Sequence, residues 1–357
     1  MNHKGTEATK RPHRVPDLGA EKPHMAVDDL AQVCAQAHQL MAKGEYEEAM
    51  PYVQRALELD PNYAPGYCHL GQVFYCRMMW DQAEVNFKKA LALDFGLQEA
   101  HYNLALLYQR QRRFREALPF FKQVVLMNPN DWESFLRMGH CTAELGNLTD
   151  AEAFYVEALR LKPGLLEAAG GLAQIYLRTE QHHKAIEVLK DALTWHPECV
   201  ELRAALAFAY EQEGDYEQAL AQFHQLVTDN PHDAQFFYHL GRCCLELDLL
   251  REAEPFLAKA VQLDPQSLEP IQTLGELYIR MDKVNEATIV LERWLHLAGS
   301  FLTVGIPVAS EQRARVLRLL AECYARLSNH ERAKALLQQS SEMEGNHAAA
   351  PAGAARR

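Results

Sequence analysis

The chain has 357 residues, 48% of them hydrophobic and 24% charged, with a formal net charge of -12. That composition suits a folded protein with apolar material for a core, and so acidic a surface is repelled by phosphate backbones and anionic lipid. Nucleic acid and membrane surfaces are thereby set aside as partners. No run of about 18 apolar residues is present to cross a membrane. The opening MNHKGTEATKRPHRVPDLGAEKPH lacks the apolar stretch of a secretory signal, so a cytoplasmic protein is expected. The eight cysteines, Cys34, Cys68, Cys76, Cys141, Cys199, Cys243, Cys244 and Cys323, form no CxxC pair and are expected as free thiols.

In chain order, residues 1–25 are polar, contain Pro12, Pro16 and Pro23, and are expected to be disordered. A strict repeat then begins. Pro61, Pro129, Pro163, Pro197, Pro231 and Pro265 are spaced by 68, 34, 34, 34 and 34 residues, with Phe95 where the missing proline would stand. Ala49, Ala83, Ala117, Ala151, Ala185, Ala219, Ala253 and Ala287 keep the same pitch of 34. Eight windows follow without insertion: 30–63, 64–97, 98–131, 132–165, 166–199, 200–233, 234–267 and 268–301. Together they place a repeat region at 26–301.

Each window carries two apolar periodicities of helical spacing, so each is read as a helix pair, helix A then helix B. Position 15 of the window holds Gly44, Gly146 and Gly214, suited to the left-handed turn that closes helix A. Proline near position 32 ends helix B. Small residues at positions 8, 20 and 27, such as Gly71, Ala83 and Ala90, predict close backbone approach. Beyond the eighth window, 302–313 breaks the period with an apolar stretch containing Gly305 and Pro307, read as a loop covering the end of the stack. Leu320, Ala321, Tyr324 and Ala333 restore the spacing in an atypical ninth unit at 314–341, and 342–357 reads as a flexible tail.

The second window gives Tyr67, Leu70, Gly71, Phe74, Ala83, Phe87 and Ala90; the seventh gives Phe237, Leu240, Gly241, Cys244, Ala253, Leu257, Ala260 and Pro265. This pattern resembles the tetratricopeptide repeat (TPR). The resemblance runs over about 30–341. It implies an all-α solenoid, a right-handed superhelix of antiparallel helix pairs whose A helices line a concave groove, and a role in binding other proteins.

By that resemblance, positions 2, 5, 6, 9, 12 and 13 of helix A face the groove. The partner-binding residues so implied are His69, Gln72 and Tyr75; Tyr102, Asn103, Leu106 and Gln109; Glu133, Arg137 and His140; Gln174 and Arg178; Phe208; Tyr238, His239 and Arg242; and Gln272 and Glu276. Aromatic rings, amides and arginines are enriched at protein interfaces. Two specialised grooves of the family fit poorly. A carboxylate clamp would need cations where Cys68 and Glu133 stand, and an asparagine ladder at position 6 finds only Asn103 among Ala35, His69, Arg137, Gly171, Ala205, His239 and Thr273.

No HExxH, GxSxG or phosphate-cradling glycine loop occurs, and no separate domain is left over for catalysis. Cys68 and His69 are adjacent on one helix, which points them about 100° apart and makes them poor joint ligands. The expectation is therefore a non-catalytic adaptor or scaffold with no metal or cofactor, taking an extended peptide or a helix in its groove. Two alternatives stay open: self-assembly through the terminal repeats, or recruitment for a separate enzyme such as a glycosyltransferase, a secretion complex or a pilus-assembly complex.

Overall fold

The computed structural model describes residues 29–303 and 305–348, and among them there are helices, turns and no strand. The polar segment 1–25 lies outside the described residues. The chain forms two compact units, 1–151 and 152–357.

In the first unit the helix pairs are α1 (Leu30–Ala42) with α2 (Tyr46–Leu59), α3 (Ala64–Cys76) with α4 (Trp80–Leu93), and α5 (Gln98–Arg110) with α6 (Phe114–Met127). Then come α7 (Trp132–Glu144) and α8 (Leu148–Leu161), within which the unit boundary falls. The second unit continues with α9 (Leu166–Arg178) and α10 (His182–Trp195), α11 (Val200–Glu213) and α12 (Tyr216–Asp229), α13 (Ala234–Glu246) and α14 (Leu250–Leu263). It closes with α15 (Leu268–Arg280) and α16 (Val284–Thr303), then α17 (Ser310–Arg326) and α18 (His330–Ala348). Odd-numbered helices are the A helices. In addition to packing on their B partners they touch one another, α3 with α5 in the first unit and α9 with α11, α13 with α15 and α15 with α17 in the second.

The repeat register explains the packing. All eight alanines of the 34-residue comb are 0% exposed, because at position 20 helix B passes closest to helix A and has no room for a longer side chain. Position 8 of helix A meets the same constraint from the other side. A Cβ on Gly275 would stand 2.5 Å from Leu291 Cδ2, and one on Gly241 would stand 2.6 Å from Leu257 Cγ.

Position 15 is left-handed in all eight windows, but only three of them supply glycine. Gly44, Gly146 and Gly214 have φ of 77°, 79° and 85°, while Met78, Arg112, Glu180, Asp248 and Asp282 hold φ of 58°, 59°, 58°, 60° and 58°. The helix-A turn thus forms even where a side chain opposes it, since the A–B packing fixes the angle between the helices.

Neighbouring repeats are also clasped by a recurring polar contact. The Tyr108 hydroxyl donates to Glu84 at 3.0 Å and Arg113 reaches the same carboxylate at 2.8 Å. Tyr176 donates to Glu152 at 2.9 Å, and Lys283 pairs with Glu254 at 2.7 Å. In each case a tyrosine at position 11 or a cation at position 16 reads a glutamate at position 21 of the preceding window.

The C-terminal part differs from the expected boundaries. The 302–313 segment, expected as a loop, is entered by helix from both sides, leaving 305–309 as the described residues between α16 and α17. Helix α16 runs 20 residues where the preceding B helices run 14. Fully buried Trp294 and Ala298 hold this extension on the core, with Phe301 and Val308 packed alongside. Likewise α18 continues past 341 to Ala348, so the tail expected from 342 begins inside a helix, and 349–357 lies outside the described residues.

Candidate functional site

In the first unit the implied site residues lie on the A helices α3, α5 and α7, where several bind each other across adjacent repeats. Gln72 donates to Glu99 at 2.7 Å, and the Asn103 amide lies 3.6 Å from the Cys68 sulfur. Tyr102 packs edge-on against Phe121 at 5.8 Å and Tyr75 against Trp80 at 5.4 Å. Burial raises the Tyr102 hydroxyl above its ordinary pKa, Glu133 adds to this, and Arg137 opposes it. Arg137 and Glu133 pair at 3.5 Å, so the arginine that could hold a ligand carboxylate already has one beside it. Leu106, Gln109 and His140 are half-buried on the same helices.

His69 departs from expectation. Its register position predicts a groove-facing ring, yet it is 2% exposed and meets His38 edge to face at 5.1 Å. With α1 covering it, His69 belongs to the packing between the first two A helices. Burial, ahead of the opposed effects of Glu99 and His38, lowers its pKa.

In the second unit Gln174 and Arg178 are exposed on α9. Phe208, Tyr238, His239 and Arg242 form one cluster, and His239 and Arg242 meet a residue that the sequence reading did not single out, Glu211. Its side chain is 1% exposed. His239 Nδ1 is 2.8 Å from Glu211 Oε2, and the Arg242 guanidinium is 3.3 Å from Oε1. The arginine contact is electrostatic only, since Glu211 Oε1 has no aligned hydrogen bond. His239 is boxed by rings: it stacks on Phe223 at 5.4 Å with 15° between planes, and meets Phe208 at 4.7 Å and Tyr238 at 5.1 Å edge-on. Burial pulls the Arg242 pKa down, but the facing Glu211 and then Tyr238 more than offset it, and the net shift is upward. Glu211 stands at position 12 of helix A, one of the groove positions, so the register itself carried the signal. Farther along the chain, Gln272 donates to Glu276 at 3.0 Å, and Arg315 pairs with Glu276 at 3.0 Å.

Among the described residues no group of three or more His, Cys, Asp and Glu side chains is arranged to hold a metal ion, and no helix is long and apolar enough to cross a membrane. The thiols at repeat position 10, Cys141, Cys243 and Cys323, are 0% exposed and serve as small core side chains.

Sequence profiles of the tetratricopeptide repeat match residues 102–165 and 205–267, a second such profile matches 142–207, and one described as TPR repeat matches 37–75. The chain belongs to the tetratricopeptide-repeat family. TPR proteins are in general protein-interaction scaffolds. Among relatives, the chain is 26% identical over 240 residues to the TPR repeat-containing protein YpiA of Bacillus subtilis, covering 67% of this chain and 56% of that one. It is 25% identical over 225 residues to the human protein named protein O-mannosyl-transferase TMTC1, covering 61% of this chain and 25% of that one. It thus spans between a quarter and just over half the length of these two relatives. A solved structure of the C-terminal part of a TPR repeat-containing protein from Cytophaga hutchinsonii superimposes with a TM-score of 0.57 at 12% identity, covering 68% of this chain and 95% of that one. That likeness concerns the fold alone.

Proposed function

We propose that this TPR chain is a non-catalytic cytoplasmic adaptor that holds an extended peptide or a helix of another protein against its A-helix face. The observation that carries the reading is the cluster of Phe208, Tyr238, His239 and Arg242, half-buried on adjacent A helices, in which His239 and Arg242 share one buried carboxylate. Rings of low conformational freedom beside a held guanidinium are what interface hot spots are made of. Tyr102 and Arg137 supply a similar mixture in the first unit.

A pull-down with the purified chain, read by mass spectrometry, tests this. Tyr102→Ala with Arg137→Glu, and separately Phe208→Ala, should each lose partners that the unaltered chain retains. Recovery of every partner unchanged by all three substitutions would sink the assignment. A second reading, recruitment for an enzyme encoded separately, is supported by the similarity to the transferase-named relative. It differs in predicting that one retained partner is itself an enzyme.

A further inference from the structure

We infer that His239 and Arg242 together form a main-chain amide reader, an acceptor and a donor side by side that take the N–H and C=O of one residue in an extended, locally uncharged peptide. This deepens the groove reading above and rests on it.

Glu211 sets where the proton on His239 sits. A carboxylate only accepts, so the short contact between Nδ1 and Glu211 Oε2, 2.8 Å, puts the hydrogen on Nδ1. When the ring is neutral, its lone pair is then on Nε2. Among the described residues Nε2 makes no hydrogen bond to protein, and it is not one of the buried unpartnered atoms; the ring is 15% exposed. Glu211 therefore turns His239 into an acceptor that reaches the surface of the A helices.

Arg242 follows three positions later on α13, on the same face. It is 36% exposed, and only part of its fork is directed at Glu211 and the Tyr238 ring. Its remaining N–H groups are donors. An acceptor and a donor one helical turn apart match the N–H and C=O that a single extended residue presents on one side of its backbone.

Charge selects against an acidic ligand. Glu211 lies 3.3 Å from Arg242, so the pair is close to neutral, and the whole chain carries -12. A ligand carboxylate would gain one cation and meet a buried anion behind it. An amide has dipoles of both signs and no net charge, which is what this pair offers in return.

The test uses the full chain labelled with nitrogen-15 histidine, with the His239→Asn variant to assign its signals. The probe is N-acetylalanine N-methylamide, and sodium acetate is the charged control, both at mildly alkaline pH. The expected result is an Nδ1–H tautomer at His239 and a saturable shift of Nε2 with the amide but not with acetate. Glu211→Gln, close in shape, should weaken the amide by about tenfold, the worth of one hydrogen bond. An Nε2–H tautomer in the unaltered chain, acetate binding at least as well as the amide, or an unchanged affinity in Glu211→Gln would each overturn the inference. Partner capture that still depends on Gln174 and Arg178 in that event would strike this pair alone and leave the wider groove reading standing.

Discussion

Gly71 of helix α3 faces Phe87 of α4 so closely that a Cβ on the glycine would stand 2.6 Å from both Cδ1 and Cε1 of the ring. Phe87 is 0% exposed and has nowhere to retreat. Gly71→Ala is therefore expected to cost about 1–3 kcal/mol through overpacking. Gly170, also inside an A helix, has nothing within 4 Å of its would-be Cβ. Gly170→Ala should instead stabilise by about 0.5–1 kcal/mol, the helix-propensity gain. Chemical denaturation of the two variants gives both signs, and equal effects would show that the A–B packing assignment is wrong.

The left-handed turn at position 15 leads to a second expectation. Met78 holds φ of 58° with a side chain 65% exposed, so it carries the backbone strain and contributes little packing. Met78→Gly should raise stability by about 1 kcal/mol, since a left-handed non-glycine residue costs roughly 1–2 kcal/mol. Exposed Glu180, at φ 58°, should behave alike. Thermal midpoints check this, and a lower midpoint in both variants would contradict it.

Three core thiols make the chain sensitive to alkali. Burial pushes Cys68, Cys141 and Cys243 up to about 12 from an ordinary value of 9.0. The folded state keeps these thiols neutral while the unfolded chain releases their protons. Their contribution is thus fully present below pH 9 and is lost as pH rises from there toward about 12. Each thiol should add a slope of about 1.4 kcal/mol per pH unit in that window. Denaturant midpoints followed into the alkaline range should flatten when all three are replaced by alanine; an unaltered slope would show that the thiols do not govern it.

Glu211 is the buried anion on which His239 and Arg242 turn. Glu211→Ala leaves a polar ring and a partly covered guanidinium without their common acceptor, and is expected to destabilise by about 2–4 kcal/mol. Arg242→Ala, at a side chain 36% exposed, should cost less. A double-mutant cycle reads the coupling, and additivity of the two losses would show that the 3.3 Å contact carries no energy.

The fold was legible because the repeat writes it many times over. The alanine comb at position 20 predicted eight contacts that are all sealed from solvent, and the glycines at position 15 marked a turn that non-glycine residues also adopt. What the sequence hid were places where context overrides local signals. Met78 and Arg112 carry no mark of a left-handed turn, because the turn is imposed by helix packing. Gly305 and Pro307 made 302–313 read as a loop, while Trp294 and Ala298 extend α16 by packing on the core. His69 and Glu211 occupy positions that look like polar surface, and only neighbouring helices bury them. The family register placed Phe208, Tyr238, His239 and Arg242 on one face, but not the convergence of His239 and Arg242 on one carboxylate, which depends on side-chain directions between two repeats.

Partner binding on the A-helix face has one surface to be distinguished from. The chain also exposes large apolar side chains on its B helices, Val85 at 64% and Leu126 at 72%, which form the obvious competing surface. Photo-crosslinking from benzophenone side chains placed singly at Tyr102, Gln174, Val85 and Leu126 separates the two. Partner crosslinks are expected from Tyr102 and Gln174 and none from Val85 and Leu126; the reverse pattern would contradict binding on the A-helix face.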